Sequence, residues 1–110
     1  MQTKSPSTRA QVLKTLRRNL PHLRERYGVS RLAVYGSFAK GKPRLSSDVD
    51  LLVELERPLG LEFVALANDL ERDLGRKVDL TTFDSFERSF AHPRNRLIAE
   101  DVQRTLLYVE

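Results

Sequence analysis

The 110-residue chain has no cysteine, no tryptophan, one methionine and two histidines. Without cysteine, a disulfide scaffold, a thiolate metal site and a cysteine nucleophile are excluded. Two imidazoles leave little material for a histidine-built zinc centre. Long hydrophobic runs are missing too: nothing approaches the ~18 consecutive apolar residues of a membrane span. The stretch from Met1 to Pro6 is polar and lacks the apolar segment of a signal peptide. A cytoplasmic protein with no membrane association is therefore expected. Repeats and low-complexity tracts are absent, and only Met1 to Ser7 reads as a frayed tail. What is present is 40% hydrophobic and 31% charged residues, enough for one modest core in a single domain over residues 1–110.

Acid is scarce in the first part of the chain. Residues 1–47 carry eleven Lys and Arg against one acid, Glu25, whereas residues 48–110 carry eight against fourteen, leaving +4 overall. Such an imbalance suits a polyanionic partner such as a nucleotide, a nucleic acid or an acidic protein, and equally a plain solvated face.

Hydrophobic spacing sets out the elements. Leu13, Leu16, Leu20 and Leu23 recur every three or four residues from Thr8 to about Tyr27, the period of an amphipathic helix ended by Gly28. Pro21 falls inside it, so a kink or break near Asn19–Leu20 is expected. Arg31–Tyr35 and Asp48–Leu55 read as strands, and Leu61–Leu74 as a helix closed by Gly75. Lys77–Thr82 is a third strand. Asp84 and Glu87 have the spacing of a capping box, and Pro93 suits the first turn of a helix through about Glu100. Thr105–Val109 fits either a strand or a helix end. The 12 residues between Tyr35 and Asp48 are too few for a parallel crossover, so the first two strands should be antiparallel, while the helix before the third permits a parallel return beside the second. The expected fold class is α+β, a small mixed β-sheet with helices packed mainly on one face.

The chemistry concentrates between residues 36 and 50. Asp48 and Asp50 lie two apart on a strand, hence on one face and about 6.5–7 Å apart along it. Unpaired carboxylates that close repel unless a cation sits between them, and hard oxygen donors suit Mg²⁺ or Mn²⁺. The bland alternative is a strand start at Asp48 and a surface ion pair from Asp50 to Arg44 or Lys42. Gly36, directly after a buried strand, lets the backbone approach a ligand closely, and Ser37 adds a hydroxyl for a phosphate oxygen; a simple turn would use the same two residues. Asp79 stands in an apolar strand, Val78-Asp79-Leu80, where a charge needs a metal or a cation such as Arg76 or Lys77.

Gly36-Ser37, ten residues, then Asp48-Val49-Asp50 resembles the signature of DNA-polymerase-β-like nucleotidyltransferases, most closely the minimal subfamily. Ala39-Lys40-Gly41, Ser47 and the strand Val78–Thr82 resemble further positions of that pattern, and the likeness spans roughly Leu32 to Phe86. The resemblance implies an enzyme that binds a nucleoside triphosphate, ATP, with two Mg²⁺ ions and transfers AMP to a hydroxyl. It carries the family's metal ligands over to Asp48, Asp50 and Asp79 and its phosphate-binding pair to Gly36 and Ser37, with Lys40 as a further nucleotide-binding candidate. Lys42 and Arg44 could also attract the triphosphate or be plain loop charges.

Many minimal members are antitoxins that silence a HEPN-domain ribonuclease toxin by adenylylating a tyrosine, which implies a toxin partner and a hetero-oligomer. After the third strand 28 residues remain, too few for a second domain to bind the acceptor, so a partner protein is expected to present it. The helix from Leu61, with Leu106, Leu107 and Tyr108, could form its docking surface or pack inside. Two other readings follow from the same residues: a non-catalytic antitoxin that masks its toxin, and a basic nucleic-acid-binding domain. Against the latter, the chain has no helix-turn-helix, RNP-like or zinc-finger pattern.

Overall fold

Thr8 opens the first helix through a capping box: its hydroxyl accepts from Gln11 N–H and the Gln11 amide accepts from Thr8 N–H, both at 3.2 Å. In this computed structural model, which describes residues 8–41, 48–89 and 91–110, the helix α1 runs unbroken over Arg9–Tyr27. The break expected at Pro21 does not occur. Pro21 is exposed, and Leu20 and Leu23 on either side of it are buried, so packing carries the helix across the missing N–H. Gly28 ends α1 at φ 70°, its N–H donating to the Arg24 carbonyl at 3.0 Å.

The chain continues as β1 (Val29–Tyr35), a one-turn helix α2 (Gly36–Ala39), β2 (Val49–Leu55), α3 (Glu62–Leu74), β3 (Val78–Thr82), α4 (Phe83–Ser89), a 3₁₀ turn (Pro93–Asn95), α5 (Arg96–Thr105) and β4 (Leu107–Tyr108). The one-turn helix after β1 was not expected. The C-terminal segment, open between two readings, splits: α5 ends at Thr105, and β4 pairs antiparallel with β1. The cap of α4 also differs from the pattern reading. Thr82, not Asp84, accepts from Ser85 N–H at 3.0 Å, because the helix begins at Phe83 straight off the strand.

Sheet order is β3-β2-β1-β4. β1 and β2 are antiparallel, as the short connection between them implied, and β2 and β3 are parallel, as the intervening helix permitted. Alternation then divides the strands between two faces. Leu32, Val34, Val49, Leu51 and Val53 pack with Val12, Leu16, Leu20 and Leu23 of α1 and Leu66, Leu70 and Leu74 of α3. The Tyr27 hydroxyl donates to Asp69, tying α1 to α3. On the other face Ala33 and Leu52 meet Phe83, Phe86 and Val102 of α4 and α5, with Tyr35 and Leu106 at the margin. The two longest helices thus share one face, and the shorter pair covers only part of the other. The frayed tail expected at Met1 to Ser7 lies outside the described residues.

Candidate active site

The register that aligns the sheet also aligns the acids. Tyr35 of β1 is the cross-strand partner of Asp50, and Asp50 is the partner of Asp79 in the parallel β2–β3 pair. Partners in a sheet stand about 4.8 Å apart with side chains on the same side. Tyr35, Asp50 and Asp79 therefore form a row across three strands, on the face that α4 and α5 leave partly open. Asp48, one residue ahead of β2, precedes Asp50 by two and joins that face; like Asp79 it is exposed, while Asp50 is half-buried.

That burial has an electrostatic consequence. The Asp50 carboxyl is pushed up to about 6, first by desolvation and then by the like charges of Asp79 and Asp48. The Tyr35 phenol is raised too, by burial and then by Asp50 and Asp79, with a hydrogen bond from Thr81 acting the other way. The Tyr35 ring leans on Phe86, centroids 6.0 Å apart at 58°. Tyr35 and Thr81 were missed in the sequence; both enter the site through cross-strand register, which neither strand's own pattern encodes.

Gly36 bears directly on the same carboxylate. Its φ is 73°, in the left-handed region, and a Cβ built there would run into Asp50 Oδ2 and lie 3.1 Å from Cγ. Any side chain at this position would have to push that carboxylate aside. Ser37 follows at the start of α2, partly exposed. Lys40, at the end of α2, is engaged elsewhere: its ammonium pairs with Asp101 of α5 at 2.7 Å, and Arg104 joins the same carboxylate at 3.0 Å. Lys40 and then Arg104 hold Asp101 below the usual carboxylate range. Lys42, Arg44 and Ser47 lie outside the described residues.

Residues 16–107 match the nucleotidyltransferase domain family. The chain belongs to that family. It is 40% identical over 88 residues to the protein adenylyltransferase MntA of Thermococcus cleftensis, covering 79% of this chain and 81% of that protein. A solved structure assigned as a minimal nucleotidyltransferase superposes with a TM-score of 0.67 at 33% identity, covering 94% of this chain and 98% of the other. An MntA–HpeT toxin–antitoxin crystal structure superposes with a TM-score of 0.58 at 18% identity over 94% of this chain and 73% of that one, a likeness of fold. The mixed four-stranded α+β architecture is that of a minimal nucleotidyltransferase, and the protein is an enzyme of this class.

Nucleotidyltransferases as a family use a nucleoside triphosphate and a divalent metal. The donor set of this nucleotidyltransferase fits such an ion in kind: hard carboxylate oxygens, one of them half-buried beside two like charges with no cation paired to it among the described residues. Among the described residues no three acidic or imidazole groups converge on one point. Of the apolar residues considered for docking, Leu106 and Leu107 pack against the two cores, whereas Leu61, Val64 and Tyr108 are exposed. Among the described residues no helix is long and apolar enough to cross a membrane.

Proposed function

We propose that this nucleotidyltransferase is a cytoplasmic antitoxin enzyme that transfers AMP from ATP to a tyrosine hydroxyl of a partner HEPN-domain toxin and so neutralises it in a hetero-oligomer. The observation that carries the reading is the row of Asp50 and Asp79, with Asp48 beside it, set against the bare Cα of Gly36. Its support from outside the chain is the 40% identity to a protein adenylyltransferase. The toxin–antitoxin complex of the same fold supports the partner.

In this reading the acceptor oxygen attacks the α-phosphorus, the bond to the pyrophosphate oxygen breaks in line, and the hydroxyl proton leaves to a carboxylate. Positioning and neutralisation of charge supply most of the rate. Asp48, Asp50 and Asp79 would hold two Mg²⁺ ions, which would neutralise the phosphates and lower the pKa of the acceptor hydroxyl. Asp79, at the exposed end of the row, is placed to take the acceptor proton. Gly36 opens the backbone to the phosphates, and Ser37 donates to a phosphate oxygen. Lys40 can add its charge only by giving up or sharing Asp101.

The test is to incubate the purified chain with Mg²⁺, adenine-labelled ATP and the protein encoded beside it. Label should pass to a tyrosine of that protein and abolish its ribonuclease activity. Asp50→Asn should remove both labelling and protection. Protection that survives Asp50→Asn would replace the enzymatic reading with masking.

A further inference from the structure

We infer that Lys77, and not Lys40, is the cation of this site that holds the nucleotide's β- and γ-phosphates. The inference rests on the nucleotidyl-transfer reading above and adds to it a residue that lies outside the Gly-Ser and Asp-X-Asp signature. The parallel register pairs Val49 with Val78 and Asp50 with Asp79. One step upstream it sets Lys77 beside Asp48, and the Val49 N–H donates to the Lys77 carbonyl at 2.9 Å, so the two chains are still joined there. Lys77 precedes Asp79 by two residues and so shares its face. Asp48, Lys77, Asp50 and Asp79 are thus a four-membered patch with one positive corner.

A lysine in that position would ordinarily be the counter-ion of its neighbours. It is not: among the described residues Lys77 makes no ion pair with Asp48, Asp79 or any other acid, and it is exposed. Among the described residues, two other cations near the site are spoken for. Lys40 is clamped by Asp101 at 2.7 Å, and the Arg76 guanidinium lies 5.2 Å from the Phe38 ring centroid, on the side of the sheet that α1 and α3 cover. Among the described residues, a triphosphate brought to the acid row therefore meets one uncommitted ammonium. The charge that develops on the leaving pyrophosphate is what such a group stabilises.

The experiment measures affinity by calorimetry in Mg²⁺ for a non-hydrolysable ATP analogue and for AMP, with the wild-type chain, Lys77→Ala, Lys77→Arg and Lys40→Ala, each checked for an unchanged melting temperature. Lys77→Ala should weaken the triphosphate about tenfold, the worth of one charge-assisted hydrogen bond, and leave AMP unchanged. Lys77→Arg should recover part of the loss. Equal affinity of Lys77→Ala and wild type for the triphosphate, or a loss confined to Lys40→Ala, overturns the assignment while the transferase reading stands. An equal loss for triphosphate and AMP also overturns it, since the lysine would then serve the site's general field. A wild-type chain that binds neither nucleotide overturns both.

Discussion

Replacing Gly36 by alanine tests the link between the turn after β1 and the half-buried Asp50 carboxylate. Two costs are separable. An L-residue held at φ 73° loses about 1–2 kcal/mol relative to glycine. The new Cβ would also strike the Asp50 carboxylate, with Cγ only 3.1 Å away, and driving that side chain off its rotamer costs about 0.5–1.5 kcal/mol more. Gly36→Ala should therefore destabilise by ~2–3 kcal/mol. Urea unfolding followed by far-ultraviolet circular dichroism reads this out, the chain having no tryptophan to follow. In an Asp50→Ala background Oδ2 and Cγ are gone and only a Cβ at 3.4 Å remains, an ordinary contact. There the same substitution should cost only the backbone part, leaving a coupling of about 1 kcal/mol in the cycle. Equal costs in the two backgrounds, or a total under about 0.5 kcal/mol, would refute the steric argument.

Three further outcomes follow. Because Asp50 titrates near 6 in the fold and near 3.8 when unfolded, its ionised form is the disfavoured one in the folded state. Its contribution to stability is thus greatest below about pH 4 and is lost as pH rises toward 6. After allowance for solvent at this half-buried site, Asp50→Asn should be more stable than wild type by ~1–2 kcal/mol at pH 7 and by nothing at pH 3.5, as measured by urea titrations across that range. Thr82→Ala should cost about 1 kcal/mol by loss of the α4 cap, whereas Asp84→Ala should be close to neutral; melting curves that rank them the other way would restore Asp84 as the cap. Pro21→Ala restores the missing N–H of α1 on an exposed position and should stabilise by ~1–3 kcal/mol, seen as a higher denaturation midpoint.

What could be read from the chain alone divides along physical lines. Local periodicity placed α1, α3 and the first three strands within a residue or two, because each buries a regular stripe. The 12-residue gap before Asp48 decided the antiparallel pairing, since loop length limits topology. Asp48 and Asp50 were visible as a same-face pair. That Asp79 stands directly beside Asp50 depended on a register no single strand encodes. The fate of Lys40 was invisible for the same reason: Asp101 lies far along the chain on a helix whose position follows from β4 and the second core. Pro21 misled because a local rule was overruled by burial on both sides, and the α4 cap because the helix begins straight off the strand, which hands the cap to Thr82, two residues before Asp84.

The acids belong to the hydrogen-bonded ladder itself, and that arrangement doubles as a folding checkpoint. Sliding β3 by a single position would turn the Asp79 carboxylate into the oily layer beneath α3 and turn Val78 and Leu80 out of it. A copy that misaligns its edge strand therefore gives up apolar packing on one side and its chemistry on the other in a single step.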